Sequence, residues 1–330
     1  MEEKIKISLP RDTLELLKKD CEDFKVVKAD GKPNMNAFVN TLIANFYESF
    51  SASEESLHDD IRQALTDVAD RYREKIFEDI VKIFAKRTEQ TSKKNSVTFS
   101  FKPTKVSMKA TIYIQNVLLS SESVSSYYRR LLMAYAQKRK DERERLIYTD
   151  EYDTLQRAIK RGVKACIALK SGDVMNNITV YAVAPALDEL FNYVLVYTGK
   201  QNSTVRLASV KTVSLLSQKA EIPQLNRELF DRQIACAAQY PMYTTDDEPI
   251  RVQLTKNGKR LFDKIYLYRP KPTSIDGDVY TFNCSAKQLL FYFERFGDDA
   301  LILSPKRLGI NMRNYYHYAL KKYRTLYSKD

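Results

Sequence analysis

The side chains that carry most enzyme chemistry are thinly spread in this chain. It has two histidines, His58 and His317, near opposite ends. A two-histidine metal centre would need both, and a Ser–His–Asp triad would have to use one of them. The four cysteines, Cys21, Cys166, Cys236 and Cys284, show no C-x-x-C spacing, which excludes a zinc ribbon. Scattered in this way, they read as small core residues in a reducing compartment. Carboxylates are abundant enough for a metal-dependent nuclease, but no clustered motif supports one. The expectation is a protein with no catalytic residue, no metal and no cofactor.

What the chain does concentrate is positive charge and tyrosine. Lys and Arg number 54 against 42 Asp and Glu, a formal net charge of +12, and there are 22 Tyr and no Trp. The pI is about 9.3. A solvated polyanion is the partner such a balance suits. The pattern is sharpest at the end. From Ser304 to Ser328 there is no acidic residue. Lys306, Arg307, Arg313, Lys321, Lys322 and Arg324 interleave with Tyr315, Tyr316, Tyr318, Tyr323 and Tyr327. Cations with flat aromatic platforms are what a single nucleic-acid strand needs. The plainer alternative is an amphipathic helix with its tyrosines packed inward, yet five tyrosines cannot all face one side.

The elements that must position these residues fall into two or three domains, as 330 residues require. Mean hydropathy is −0.45. No apolar run approaches the ~20 residues of a membrane helix, and Met1-Glu2-Glu3-Lys4 lacks the layout of a signal peptide. A cytoplasmic protein without a membrane partner is expected.

The first region contains a duplication. Lys4 to Leu9 alternate apolar and polar residues until Pro10, and Val97 to Lys102 do so until Pro103. Each strand leads into a helical pattern: Leu14, Leu17, Cys21 and Phe24 in the first copy, Lys105 to Leu119 in the second. Each then reaches a cap and a second helix. Asn34 or Asn36 caps Phe38, Val39, Leu42, Ile43 and Phe46. Ser121-Glu122-Ser123-Val124 leads into Tyr127, Tyr128, Leu131, Leu132 and Tyr135. Asn34 to Val39 align with Ser123 to Tyr128 without a gap. Between the copies, Leu57, Ile61, Leu65, Val68, Tyr72, Ile76, Ile80 and Ile83 predict one long helix over 57–86, capped by Ser53 or Ser56. Its stripe serves either as a coiled-coil seam or, preferably, as a packing face. The run Gln137 to Arg145 reads as a solvated extension that ends the domain near 145–150.

Strand, helix, capped loop, helix resembles the ribbon-helix-helix unit, over about 45 residues each time. Such units are normally halves of a dimer, and here one chain would hold both. The resemblance implies an antiparallel ribbon between 4–9 and 97–102 whose polar face, Lys4, Lys6, Ser8, Thr98, Ser100 and Lys102, enters a DNA major groove. The usual base readers Arg, Asn and Gln are absent from that face, which argues against strong sequence specificity.

From Gly162 the texture changes to short strands: Val163–Lys170, Ile178–Ala184, Tyr193–Tyr197, Thr204–Leu207 and Val210–Leu216. Five strands with tight turns suggest a small barrel. The anchors Asn192-Tyr193-Val194-Leu195-Val196-Tyr197, Val205-Arg206-Leu207-Ala208-Ser209-Val210 and Val180-Tyr181-Ala182 resemble the WYL domain, an Sm/SH3-like barrel of prokaryotic regulators. Asn192 replaces its Trp, Val194 its Leu, and Ser209 an Arg. The resemblance implies nucleic-acid or nucleotide contact by Tyr181, Tyr193 and Arg206. Lys164, Lys170, Lys200 and Lys211 would add a diffuse positive field. The alternatives are a core Tyr193 and an Arg206 paired to an internal carboxylate.

The remainder reads as a helix over 226–240, a solvated acidic turn at Thr244 to Pro249, strands at Ile250–Leu254, Lys264–Tyr268 and Val279–Cys284, a helix over 286–296, a strand over 300–303 and a last helix over 306–327. Phe293-Glu294-Arg295-Phe296-Gly297 followed by Leu303-Ser304-Pro305 is similar to the C-terminal extension that often follows a WYL domain.

The expected fold is therefore α+β: a duplicated ribbon-helix-helix region over 1–147 (copies 4–50 and 95–138), a WYL barrel over 148–222, and an α/β extension over 223–330. Together these resemble the WYL-domain accessory proteins encoded beside type VI-D, RNA-targeting CRISPR effectors. That resemblance implies a non-catalytic protein that binds single-stranded RNA, modulates an RNA-guided ribonuclease in antiviral defence, and forms a homodimer. The alternative is a DNA-binding transcriptional regulator with a ligand-sensing barrel.

Overall fold

The computed structural model describes residues 4–93, 95–119 and 123–327, and for residues 84–93 the backbone alone. The structure is mixed α+β, and the chain divides into two compact units, 1–149 and 150–330. Ser121 and Glu122, read above as the lead into a helix, lie outside the described residues.

The first unit runs β1 (Ile5–Pro10), α1 (Arg11–Asp23), α2 (Met35–Ala64), α3 (Asp70–Lys93), β2 (Ser96–Phe101), α4 (Lys105–Tyr113) prolonged by a π turn (Ile114–Leu118), α5 (Val124–Gln137) and α6 (Lys140–Ile147). β1 and β2 pair antiparallel, with Lys6 opposite Ser100 and Ile7 opposite Phe99. Alternation turns Ile7, Leu9 and Phe101 into a core shared with Leu17, Phe38, Leu42, Tyr128, Leu131 and Tyr135. Asn34 caps α2 by accepting from the Ala37 N–H at 3.1 Å, and Ser123 caps α5 by accepting from Ser126 at 3.2 Å.

Two expectations are corrected here. The long helix does not begin near Leu57. α2 runs unbroken from Met35 to Ala64, because no Gly or Pro interrupts it and Leu57 and Ile61 continue its apolar phase. Ser53 and Ser56 lie inside it. The break falls instead at 65–69, where the Arg73 guanidinium donates to the carbonyls of Leu65, Thr66 and Val68 at 2.8–3.1 Å. Nor is the charged run after α5 solvated. Asp141, Arg143 and Glu144 are buried, and Arg143 grips Asp20 of α1 at 2.7 and 3.1 Å. Tyr135 donates to the same carboxylate at 2.9 Å.

The second unit begins with α7 (Thr149–Arg161), whose first residue sits at the boundary. Five strands follow: β3 (Val163–Leu169), β4 (Val174–Pro185), β5 (Asn192–Tyr197), β6 (Asn202–Arg206) and β7 (Val210–Lys219). They pair antiparallel in the order β6-β5-β4-β3-β7, and a 3-10 turn, Leu207–Ser209, joins β6 to β7. Register shifts within the β3–β4, β3–β7 and β4–β5 pairs bend the strands. Next come α8 (Gln224–Cys236), β8 (Ile250–Leu254), α9 (Lys256–Lys264), β9 (Pro272–Asp276), β10 (Val279–Phe282), α10 (Ala286–Phe293), β11 (Ala300–Ser304) and α11 (Lys306–Tyr327). The second sheet has the order β11-β8-β10-β9.

The strand expected at Lys264–Tyr268 does not form, and a helix, α9, precedes that segment. Thr255 caps α9 by accepting from the Gly258 N–H at 3.0 Å, and Leu261, Phe262 and Ile265 turn at helical spacing onto the core of the second sheet. Gly258 permits this packing, since a Cβ there would collide with the carbonyl of Asp299. The acidic turn over Thr244 to Pro249 is exposed apart from one residue. Asp246 is buried and accepts from Arg307 at 2.8 Å, while Asp247 accepts from Arg232 at 2.7 Å.

Candidate nucleic-acid interface

On the ribbon of the first unit, Lys6, Thr98 and Ser100 are exposed and Ser8 is half-buried, all on the face opposite the core. Lys4 and Lys102 flank the strands and are exposed. The Lys102 backbone is held at both ends: its N–H donates to Asn36 at 2.8 Å and its carbonyl accepts from Asn36 and Asn40 at 3.1 and 3.0 Å. The Ser8 carbonyl accepts from Arg129 at 2.6 Å. The ribbon is thus a stiff, two-stranded polar surface.

In the five-stranded sheet, the expected residues are largely committed to intrachain contacts. The Tyr181 ring stacks on Phe230 of α8, with centroids 4.8 Å apart and planes at 14°, and its hydroxyl donates to Asp231 at 2.5 Å. Burial, then that carboxylate, pushes the phenol up to about 12. The Tyr193 hydroxyl donates to Glu189 at 3.1 Å. Tyr193 also packs on the cluster of Ala184, Leu195, Phe230 and Ala238. Neither tyrosine offers an open stacking platform. Arg206 lies directly across from Tyr193 in the β5–β6 register, half-buried, with its guanidinium 3.5 Å from the centre of the Phe191 ring. A guanidinium set flat on an aromatic face is held in orientation while keeping its charge. Lys170, Lys200 and Lys211 are exposed and Lys164 is half-buried. They sit on two turns, the start of β7 and β3, so they are spread rather than clustered.

Glu189 is the residue that sequence reasoning missed. It accepts from Tyr193 and also from Tyr268, in the connection between α9 and β9. The neighbouring Asp188 accepts from the Tyr268 N–H at 3.1 Å. Leu190 and Tyr268 both adopt positive φ, 56° and 64°. Side-chain-bearing residues hold that conformation only where surrounding bonds fix it. No local sequence pattern marks this meeting of two distant loops.

α11 divides into a seated half and an exposed half. Leu308 and Met312 are buried, and the Tyr316 hydroxyl donates to the Glu294 carbonyl at 3.0 Å. Arg307, with its side chain 44% exposed, donates to Asp246 and to the Thr245 carbonyl. Beyond Tyr316, every described residue except the half-buried Ala319 is exposed. Tyr315, Tyr318, Tyr323 and Tyr327 are 50, 65, 63 and 65% exposed. Lys322 lies among Tyr315, Tyr318, Tyr323 and Leu326 on one shallow face, and Lys321 and Arg324 lie beside His317 on another. Arg313 is exposed and its guanidinium reaches Asn314 at 3.3 Å.

Among the described residues no group of three or more His, Cys, Asp or Glu is placed to hold a metal ion, and no helix is long and apolar enough to cross a membrane.

A solved structure described as "Crystal structure of a CRISPR Cas-related protein" matches with a TM-score of 0.67 at 19% identity, over 99% of this chain and 95% of that one. The two share a fold along their whole length. The proteasome accessory factor B/C (PafBC) of Arthrobacter aurescens is matched over 69% of this chain and 40% of its own length, with a TM-score of 0.23 and 15% identity. No protein-family model matches the chain, and no curated protein matches it.

Proposed function

We propose that this chain is a non-catalytic accessory protein that binds single-stranded RNA and modulates an RNA-guided CRISPR ribonuclease. The observation that carries the reading is α11 from Tyr315 onward, where four exposed tyrosines are interspersed with cations and no acid. Each base stacked on such a platform contributes roughly 1–3 kcal/mol, whatever its identity. Arg206, oriented by Phe191 on a sheet whose strand order suits an Sm-like WYL barrel, would hold a phosphate. The shared fold with a CRISPR Cas-related protein supports the setting. Fluorescence anisotropy of labelled single-stranded RNA, single-stranded DNA and duplex DNA at several salt concentrations tests it. Tight RNA binding that weakens steeply with salt is expected; preference for duplex DNA would overturn it.

A second reading has its own observation. β1 and β2 pair as a ribbon-helix-helix unit requires, with Lys6, Ser8, Thr98 and Ser100 on one outer face. That geometry suits a major groove and a transcriptional regulator. Retardation of a duplex from the protein's own promoter, in preference to random duplex, would select it.

A further inference from the structure

Two free cysteines that are distant in sequence meet in the second unit. Cys236 is the last residue of α8, and Cys284 lies between β10 and α10. The Cys236 Sγ donates at 3.2 Å to the carbonyl of Asn283, whose peptide bond leads into Cys284. One turn earlier on α8, the Arg232 guanidinium donates to the Asn283 side chain and, at 2.7 Å, to Asp247. Two contacts one helical turn apart therefore hold α8 against residue 283, and the peptide they grip carries Cys284. Cys284 is 2% exposed in the core of the second sheet, while Cys236 is half-buried. The Cys284 thiol is pushed up first by burial and then by the neighbouring Cys236.

We propose that Cys236 and Cys284 form a reversible intrachain disulfide when the protein meets hydrogen peroxide. The two sulfurs have unequal roles. Cys236 is the reachable one, and Arg232 beside it favours its thiolate, although burial weighs more and holds the thiol above its usual range. Attack is therefore slow, which suits a lock set by sustained oxidant rather than a fast sensor. The Cys236 thiolate attacks one peroxide oxygen: an S–O bond forms, the O–O bond breaks, and the departing hydroxide takes up a proton as water. Cys284 then attacks the sulfur of this sulfenic acid. The S–S bond forms, the S–O bond breaks, and hydroxide leaves with the Cys284 proton as a second water. The two thiols lose two electrons and peroxide gains them. In a reducing compartment a disulfide of this kind is transient, and thiol exchange reopens it.

What the bond fastens follows from the other contacts of α8. The helix covers the five-stranded sheet through the Phe230–Tyr181 stack and through Gln233, which donates to Thr204 at 2.8 Å. Its last turn meets the segment between β10 and α10. A disulfide there makes that joint covalent, and it closes a long loop in the unfolded chain, which stabilises the folded unit.

The test treats the full chain with hydrogen peroxide, alkylates the remaining thiols and maps the protein by mass spectrometry without reduction. A linked pair of peptides carrying Cys236 and Cys284 is expected, lighter by about 2 Da for the two hydrogens lost. Dithiothreitol should abolish the link, and Cys21 and Cys166 should be found alkylated. Cys284→Ser should stop the reaction at a Cys236 sulfenic acid that dimedone traps, and Cys236→Ser should form no disulfide. The oxidised chain should melt at a higher temperature than the reduced one, and Cys236→Ser should lose that gain. The wild-type map decides the matter whether or not the variants fold. Alkylation of both Cys236 and Cys284 after treatment would overturn the proposal, as would a link from either to Cys21, Cys166 or a second chain. Dimedone on wild-type Cys236 with no linked pair would overturn it too, since the two sulfurs would then fail to meet.

Discussion

Asn40 and Arg129 occupy equivalent places in the two repeats, and each holds the backbone of the other repeat's strand. Asn40 on α2 donates to the Lys102 carbonyl beside β2 at 3.0 Å, and Arg129 on α5 donates to the Ser8 carbonyl of β1 at 2.6 Å. The ribbon is therefore clamped crosswise, and neither repeat closes without the other. The clamps are unequal. The Asn40 amide also donates to the Asn36 carbonyl at 2.7 Å, and its oxygen accepts from the Thr104 N–H at 2.8 Å and from the Ser107 hydroxyl. All of its hydrogen-bonding capacity is used in a fully buried place.

Replacing Asn40 by Ala leaves several buried polar groups without their partner. Each costs about 1–3 kcal/mol, so a loss of about 3 kcal/mol is expected. Arg129→Ala removes one bond from a half-exposed position and should cost about 1 kcal/mol. Urea unfolding measures both, and an equal shift of the two midpoints would contradict the asymmetry.

The Asp20–Arg143 pair makes a second stability prediction. The carboxylate is 1% exposed and the guanidinium 10%. Removing Arg143 alone strands a buried charge, at a cost of about 3–5 kcal/mol. The double change Asp20→Leu/Arg143→Met should cost less than Arg143→Ala, because both desolvated charges go together. A double variant that is the less stable would show that the pair is net stabilising.

How much of this was legible in the sequence depended on the range of the interaction. The strands Lys4–Leu9 and Val97–Lys102, the cap at Asn34 and the helix over 306–327 rest on local periodicity and capping chemistry, and all appear close to their expected places. The run Gln137–Arg145 misled because composition reports charge and not partners. Nothing near Arg143 indicates that Asp20 waits more than a hundred residues away. The same holds for Arg307 and Asp246, and for Glu189 with Tyr268. The start of the long helix was misplaced because its apolar stripe continues in phase through Ser51 and Ser53, so periodicity gives no boundary.

Ionisation offers a third test. Burial and the Asp231 carboxylate raise the Tyr181 phenol from 10.0 to about 12. The folded state therefore keeps a proton that the unfolded chain gives up earlier. The associated stability is fully present below pH 10 and is lost as the pH rises toward 12. Difference absorbance between the wild-type chain and Tyr181→Phe should show this phenolate appearing near pH 12. Its appearance near pH 10 in folded protein would mean that the Asp231 contact is not kept in solution.

The two ends of α11 should separate in binding and stability. Lys321, Lys322 and Arg324 lie on the exposed half, while Arg307 neutralises the buried Asp246. Replacing the three by Ala should lower the dependence of log K on log salt by about 2 for single-stranded RNA, since each phosphate contact contributes about 0.7. Their effect on unfolding should be small. Arg307→Ala should leave the salt slope in place and reduce stability by about 1–3 kcal/mol, discounted for its partial exposure. Filter binding across a salt series, paired with thermal melts, distinguishes the two, and a loss of slope on Arg307→Ala would return that residue to the interface.

The last prediction sets the five-stranded sheet against the ribbon. The Arg206 guanidinium lies 3.5 Å from the centre of the Phe191 ring, so a phosphate would meet a cation already held in place. Lys6 is an exposed ammonium on a strand, free to follow any anion at little gain. For single-stranded RNA at fixed salt, Arg206→Ala should weaken binding more than Lys6→Ala. Arg206→Lys should recover only part of the loss, because a point charge neither stacks as a plane nor offers two parallel donors. Duplex DNA supplies the opposite arm. There Lys6→Ala should be the more damaging change, since the ribbon presents a two-stranded polar face to a groove. A larger loss from Lys6→Ala on both ligands would place nucleic-acid contact on the ribbon and leave Arg206 as a packing residue.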